Sequence, residues 1–344
     1  MTLTTLTFIY GLCIMFYSMM TTLFFSRGKG LLQRIVGIQM LVIVLQCFKD
    51  LFFMTADLDA ASRTWMILTA ADMIAVPPYV FILIELIKPG TLNARTIIAH
   101  ELPFVVLPTA FIATNMKIFY QIDVAWAMAY GMAAAIWALI EIPKYHRLLR
   151  ERFSYTENIN LNWLRCILVS FFVILALWLA DCTVAHLGVE AMYMLGSMTV
   201  WMFTCYFLYK HHSVIDELGE PSPAEKEPSP ADDNLDRLRE SILDLFDNQQ
   251  IYLNPQLKLS DVASLTGTNR TYVSRFFNNS HGKTFFEFVN EYRVRHAKTL
   301  LSTSSDKLEI VAEQCGFNSR QSFHRVFSRI AGCTPEQYRS SVSK

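Results

Sequence analysis

The sequence predicts an all-α chain: a bundle of seven membrane-crossing helices, then a compact helical domain carrying two helix-turn-helix units. Three observations predict it. Residues 1–212 are apolar in stretches long enough to cross a bilayer core of about 30 Å. Residues 213–234 are polar, acidic and rich in proline. Residues 235–344 carry one short pattern twice. The chain as a whole is formally neutral, with 30 basic and 30 acidic residues, so the average conceals the division.

The apolar part is taken first. Leu3–Phe25 has no basic segment before it and no small-residue cleavage site after it, which reads as a first span rather than a removable signal. Six further spans are expected at Leu31–Met54, Thr64–Ile87, Thr96–Thr114, Ile122–Ile142, Leu164–His186 and Ala191–Tyr209. Pro77-Pro78 removes backbone donors and predicts a kink in the third. With the N-terminus outside, the inner loops and tail hold Arg27, Lys29, Lys88, Arg95, Lys144, Arg147, Arg150, Arg152 and Lys210, and the outer loops hold Arg63 and Lys117. Positive charge favours the inner side, so the expected placement is the cytoplasmic membrane with residues 235–344 in the cytoplasm.

Ionisable residues inside spans are costly and mark functional positions or interfacial pairs. Lys49, Asp50 and His186 read as pairing or snorkelling at the interface. Glu85, Glu101 and Glu141 fall near the inner ends, where Lys88, Arg95 and Lys144 can meet them. Asp72 and Asp181 lie deeper and are the candidates for a sensor cavity. The basic run Lys144–Arg152 sits in the longest loop, to Trp163, and can face anionic headgroups or the C-terminal region.

Residues 213–234 include "EPSPAEKEPSPADD", the composition of an extended, disordered linker. Such a tether sets local concentration rather than carrying torque. An amphipathic helix is expected over Leu235–Leu253, with Leu235, Leu238, Ile242, Leu245 and Phe246 on one stripe.

The repeated pattern runs from Ala263 through Gly267 to Val273, Arg275 and Phe277, and again from Ala312 through Gly316 to Phe323, Arg325 and Phe327. Each copy predicts a short helix, opened by Ser260 and by Asp306, a glycine turn, and a second helix opened by Asn269 and by Ser319. Val273, Phe276 and Phe277 are expected to pack on Val262 and Leu265, and Phe323, Val326 and Phe327 to look inward. The opposite faces then carry Arg270, Thr271, Ser274 and Arg275 in the first copy, and Arg320, Gln321, His324 and Arg325 in the second. Arg and Gln suit bidentate contact with guanine and adenine edges, so double-stranded DNA is the expected partner. A helix over Thr284–Leu301 would span roughly 27 Å and hold the two units apart on one duplex face. The region holds fifteen Lys/Arg against eleven Asp/Glu, a modest excess that suits phosphates.

The runs "LSDVASLTGTNRTYVSRFF", "FFEFVNEYRVRHAKTLL" and "EIVAEQCGFNSRQSFHRVFSRIAGCTPEQYR" resemble the AraC/XylS family of bacterial transcription regulators over about residues 251–339. The resemblance implies two units entering successive major-groove segments, with base-reading positions at Thr271, Ser274, Arg275, Arg320, Gln321 and Arg325. It also makes a second copy of the chain and RNA polymerase expected partners, beside DNA, the lipid bilayer and an unidentified small-molecule or membrane signal.

The seven cysteines (Cys13, Cys47, Cys166, Cys182, Cys205, Cys315, Cys333) show no Cys-x-x-Cys or Cys/His spacing, so no metal site and no disulfide framework is expected. No nucleophile motif, paired-carboxylate cluster or phosphate-binding glycine loop is found, and neither an enzyme nor a cofactor is expected. The expected function is a membrane-embedded, one-component transcription regulator. A transporter or enzyme carrying an autoregulatory DNA-binding domain is the alternative, and a passive membrane anchor the third reading.

Overall fold

The computed structural model describes the chain except at residues 1, 28–29, 54–61, 156–158, 160, 171, 174–186, 220–231, 281 and 343–344. The described residues are helical, and the isolated pairing of Phe153 with Lys258 is their one extended contact. Contacts divide the chain into two units: Met1–Pro143 with Leu161–Glu220, and Lys144–Asn160 with Pro221–Lys344.

The first unit holds α1 (Leu3–Arg27), α2 (Leu31–Phe53), α3 (Arg63–Asp72), α4 (Val76–Ile87), α5 (Ala94–Thr114), most of α6 (Lys117–Arg152) and α7 (Leu187–Gly219). Among the described residues six helices are long and apolar enough to cross a membrane, α3 and α4 counting as one. The expected span Leu164–His186 lies mostly outside the described residues, although 162–170 are helical. One 3-10 turn, Met73–Ala75, separates α3 from α4, and Pro77-Pro78 sit in the first turn of α4, where the missing donors cost nothing. The predicted kink is therefore a restart of the helix.

Two expectations are corrected here. Lys144–Arg152 is not loop: α6 continues through Pro143 for 36 residues, about 54 Å at about 1.5 Å per residue, well beyond a core of about 30 Å. Residues 213–219, read as linker, continue α7. The rest of the expected linker, 220–231, lies outside the described residues.

Several ionisable groups within this unit are paired. Lys49 Nζ donates to the Asp72 carboxylate at 2.6 Å and meets Asp50 Oδ1 at 3.0 Å. Tyr10 donates to Glu190 Oε1 at 2.6 Å, and Lys88 meets Glu141 at 3.4 Å. Asp123, at 0% exposure, has no hydrogen-bond partner for either oxygen.

The second unit holds α8 (Asp232–Asp247), a 3-10 turn (Ile251–Leu253), α9 (Leu259–Leu265), α10 (Arg270–Arg275), a π turn (Phe276–Ser280), α11 (Phe285–Thr303), α12 (Leu308–Gln314), α13 (Arg320–Ala331) and α14 (Pro335–Val342). The expected helix 235–253 thus breaks after Asp247. Two cores flank α11. Phe285, Phe288 and Val289 pack with Ile242, Leu245 and Phe246 of α8 and with Val262, Val273, Phe276 and Phe277. Phe286, Val294, Ala297 and Leu301, elsewhere on the same helix, pack with Val311, Phe317, Phe323, Val326 and Phe327. Leu265 departs from expectation: it is 58% exposed.

Thr284 and Glu287 form a capping box at the start of α11. Burial opposes the Glu287 carboxylate, but the Thr284 N–H and hydroxyl, then Arg329 and Arg150, outweigh it and hold its pKa below the usual range.

Gly267 and Gly316 both turn in the left-handed region, with φ of 66° and 78°. Their surroundings differ. A Cβ on Gly267 meets open space, whereas one on Gly316 would lie 2.6 Å from the Leu253 carbonyl oxygen and 2.8 Å from that of Tyr252. Gly267→Ala should cost about 1–2 kcal/mol through backbone strain alone, and Gly316→Ala about 2–5 kcal/mol, because backbone must also move. Urea midpoints of the two variants, followed by proteolysis of residues 232–342, check the order; equal midpoints refute it.

Candidate nucleic-acid interface

Each unit's second helix is aimed by its N-cap. Asn269 Oδ1 accepts from the N–H groups of Thr271 (3.1 Å) and Tyr272 (3.2 Å). Ser319 Oγ accepts from the Ser322 N–H at 3.1 Å. Both residues are the openers the sequence predicts. The first helices begin differently. Lys258, not Ser260, precedes α9, and its N–H donates to Asp261 Oδ2 at 2.8 Å. Lys307, not Asp306, precedes α12. In both cases burial of the leucine that follows, Leu259 or Leu308, brings the helix start to that position.

With Val273 and Phe277 at 0% and 1% exposure, α10 turns its other face outward. Arg275 is exposed there, and Arg270, Thr271 and Ser274 are half-buried beside it. The Arg275 guanidinium lies 5.8 Å over the Tyr272 ring centre, and Ser274 Oγ accepts from Asn278 at 3.2 Å. On α13, Phe323 and Phe327 are buried at 0%, and Arg320, Gln321 and Arg325 are exposed with His324 partly so. The structure therefore brings the eight predicted residues together as two sets of four, one on each outward face.

Two carboxylates that sequence reasoning did not single out belong to the second set. Arg320 Nη1 meets Glu309 Oε1 at 2.6 Å and Nη2 meets Glu336 Oε1 at 3.6 Å, and His324 Nε2 meets Glu336 Oε2 at 3.4 Å. Glu309 lies on α12 and Glu336 on α14, eleven or more residues from Arg320, where no helical periodicity relates them. Backbone hydrogen bonding first, and Arg320 after it, hold the Glu309 pKa below the usual carboxylate range. Burial opposes the Glu336 carboxylate, but its backbone and Thr334 hydrogen bonds, with His324 and Arg320, bring it below that range too.

Of the sensor candidates, Asp72 is ion-paired with Lys49, and Asp181 lies outside the described residues. Sequence reading passed over Glu190 and Asp123, which stood at the margins of expected spans.

Comparison with known proteins bears on the second unit. The helix-turn-helix domain family matches residues 262–341. That stretch is an AraC-type helix-turn-helix domain. Among curated relatives, an uncharacterized HTH-type transcriptional regulator of Staphylococcus aureus (strain COL) is 33% identical over 90 residues, 26% of this chain and 12% of that protein. The uncharacterized HTH-type transcriptional regulator YisR of Bacillus subtilis (strain 168) is 30% identical over 95 residues, 28% of this chain and 33% of that protein. The chain thus spans a minor part of these relatives. Among solved structures, the C-terminal domain of the two-component response regulator yesN from Fusobacterium nucleatum is 30% identical, covering 29% of this chain and 96% of that one, with a TM-score of 0.28. The DNA-binding domain of AdpA in complex with a target DNA is 26% identical, covering 30% and 91%, with a TM-score of 0.28.

In this AraC-type domain the depressed carboxylates of Glu309 and Glu336 set an acid limit. A carboxylate with a depressed folded pKa contributes stability that is fully present above its unfolded value, near 4.3 for Glu, and is lost as pH falls through the folded pKa. Stability from Glu309 and Glu336 should therefore hold from neutral pH to about 5 and decline below about 4.3. Glu309→Gln with Glu336→Gln should flatten that decline in urea titrations at stepped pH; an unchanged acid limb refutes the assignment.

Proposed function

We propose that this chain is a membrane-embedded, one-component transcription regulator that reads double-stranded DNA with α10 and α13 under control of a signal sensed in or at the membrane. One observation carries the reading: two capped recognition helices display Arg275 and Arg325 at equivalent positions, in a chain whose other unit has six helices apolar enough to cross a bilayer. The description shared by the curated relatives, HTH-type transcriptional regulator, supports the same reading.

On this proposal residues 1–212 are the seven-span sensor and 235–344 the DNA-binding part, joined through 213–234. The base-reading residues are Arg270, Thr271, Ser274 and Arg275, with Arg320, Gln321, His324 and Arg325. The bias of basic loop residues toward one side supports a cytoplasmic-membrane protein of a bacterium, with its N-terminus outside and its DNA-binding part in the cytoplasm. Control works by association: membrane units that pair bring two DNA-binding parts to adjacent half-sites, which raises effective concentration without new contacts. RNA polymerase is the partner of the bound complex.

Duplexes enriched from a random pool by the full chain in lipid nanodiscs should share a sequence. Arg275→Ala and Arg325→Ala should each cost about 1–3 kcal/mol on the enriched duplex and relax preference at one base position. Enrichment of no sequence overturns the proposal, as does a tag fused after Lys344 that is reached only from outside intact cells. Asp72→Asn and Asp181→Asn should change a reporter's dependence on growth conditions while leaving affinity for that duplex unchanged. Reporter curves identical to wild type remove the sensor assignment.

A further inference from the structure

The second unit includes a segment that the sequence leaves open between anionic headgroups and the C-terminal region. Lys144–Asn160, at the end of α6 and just beyond it, clusters with the DNA-binding helices. Its contact is built in detail. Phe153, at 1% exposure, pairs antiparallel with Lys258. The Ser154 N–H donates to the Leu257 carbonyl at 3.1 Å, and the Ser154 hydroxyl donates to the same oxygen at 2.7 Å. The Ser154 carbonyl accepts from Asn290 Nδ2 at 3.1 Å and from Arg293 Nη1 at 3.2 Å, and its hydroxyl oxygen accepts from Arg293 Nη2 at 3.1 Å. Ser154, Asn290 and Arg293 are each 1% exposed. The Tyr145 hydroxyl donates to the Ile159 carbonyl at 3.2 Å, which folds the segment back on the end of α6.

The residues it touches are those on which both helix-turn-helix units rest. Arg293 also donates to the carbonyls of Tyr252 (2.8 Å) and Asn254 (2.7 Å). Gly316, in the turn of the second unit, approaches the Leu253 and Tyr252 carbonyls too closely to carry a Cβ. Asn318, next to that turn, donates to the Pro255 carbonyl at 2.9 Å. Leu257 and Lys258 lead into α9 of the first unit. Segment 252–258 is thus where the first unit begins, where α11 is anchored and where the second unit's turn lands.

We infer that residues 153–155 are a docked strap, a part of the DNA-binding unit supplied by the end of α6, whose occupancy of the Leu257–Asn290–Arg293 surface fixes the mutual orientation of the two helix-turn-helix units. A change in α6 then reaches both recognition helices through Ser154, without passing through residues 220–231. The strap acts by positioning and contacts no base. The inference rests on the DNA-binding reading above and adds the route of its regulation.

The test uses the full chain in phospholipid nanodiscs and the duplex enriched by the wild-type protein. Ser154→Ala removes the hydroxyl that Leu257 and Arg293 both use. It should speed hydrogen exchange in peptides covering 150–155 and 252–258, and weaken binding about tenfold. A second variant, Phe153→Cys with Lys258→Cys, locks or frees the strap in one sequence, because antiparallel partners lie about 4.5–5.5 Å apart at Cα, within disulfide reach. Oxidised, it should bind within about threefold of wild type; reduced, about tenfold more weakly. Ser154→Ala with unchanged exchange in 252–258 and affinity within twofold overturns the strap, as does an oxidised pair no tighter than the reduced one. Wild-type protein that enriches no sequence sinks the DNA-binding reading instead.

Discussion

Arg293 is the interaction on which the second unit depends. Its guanidinium is 1% exposed, and it donates to the main-chain carbonyls of Tyr252, Asn254 and Ser154 as well as to the Ser154 hydroxyl. It also lies 5.7 Å over the Phe317 ring centre. A buried cation is tolerated only where fixed acceptors replace its water, and acceptors left without it would each cost about 1–3 kcal/mol. Arginine alone fits: its planar fork presents several donors in fixed directions, which a lysine ammonium cannot do. One side chain on α11 therefore ties together three pieces of chain that are distant in sequence. The two cores on either side of α11 are aliphatic and aromatic and carry no such directional information. Their burial supplies the free energy of the fold, and Arg293 selects the arrangement.

The two recognition helices meet solvent in different electrostatic states. On α13, Arg320 and His324 are held by Glu309 and Glu336; on α10, Arg275 rests on the Tyr272 ring. Exposed ion pairs contribute about 0–1 kcal/mol, so exchanging these carboxylates for a base edge or a phosphate costs little. Their consequence is geometric. Arg320 is held in place by Glu309 and Glu336, which on the proposed reading would lower the conformational entropy lost on binding DNA. The same carboxylates repel phosphates, so an orientation that puts the backbone where the base edge should be is penalised. On the proposed reading, selectivity in the second unit would come from repulsion as well as attraction.

The repeated helix-turn-helix was legible because its determinants are local. Gly267 and Gly316 need φ above zero, Asn269 and Ser319 need a cap-competent oxygen, and Phe277 and Phe327 repeat at helical spacing; each is decided within a few residues. Six of the seven expected spans coincide with helices long and apolar enough to cross a membrane, because length and composition decide that much. The failures are where a distant partner decides. Ser260 and Asp306 are sound capping residues in isolation, but burial of Leu259 and Leu308 starts the helices at other positions. Leu265 has the spacing of a core residue and is nevertheless 58% exposed. Lys144–Arg152 reads from sequence as loop, facing headgroups or the C-terminal region, yet it continues α6, and Leu149 and Phe153 are buried at 1%; composition alone does not choose the side. Ser154 and Arg293 stand 139 positions apart, and neither residue type announces the other.

A proline-rich, acidic tether of the kind the sequence predicts would transmit position poorly, since its ends would be coupled only through chain entropy. If it were the sole connection, the membrane part could act on DNA binding only by setting how many DNA-binding units are near one another. A second connection through Ser154 changes the class of control. Its hydrogen bonds are directional, are broken by displacements of about 1 Å, and end on the carbonyls that seat both helix-turn-helix units. On this proposal, movement at the end of α6 would act on those bonds directly. On the proposed reading, association of membrane units and strain on the strap would be separate inputs, one setting concentration and the other competence.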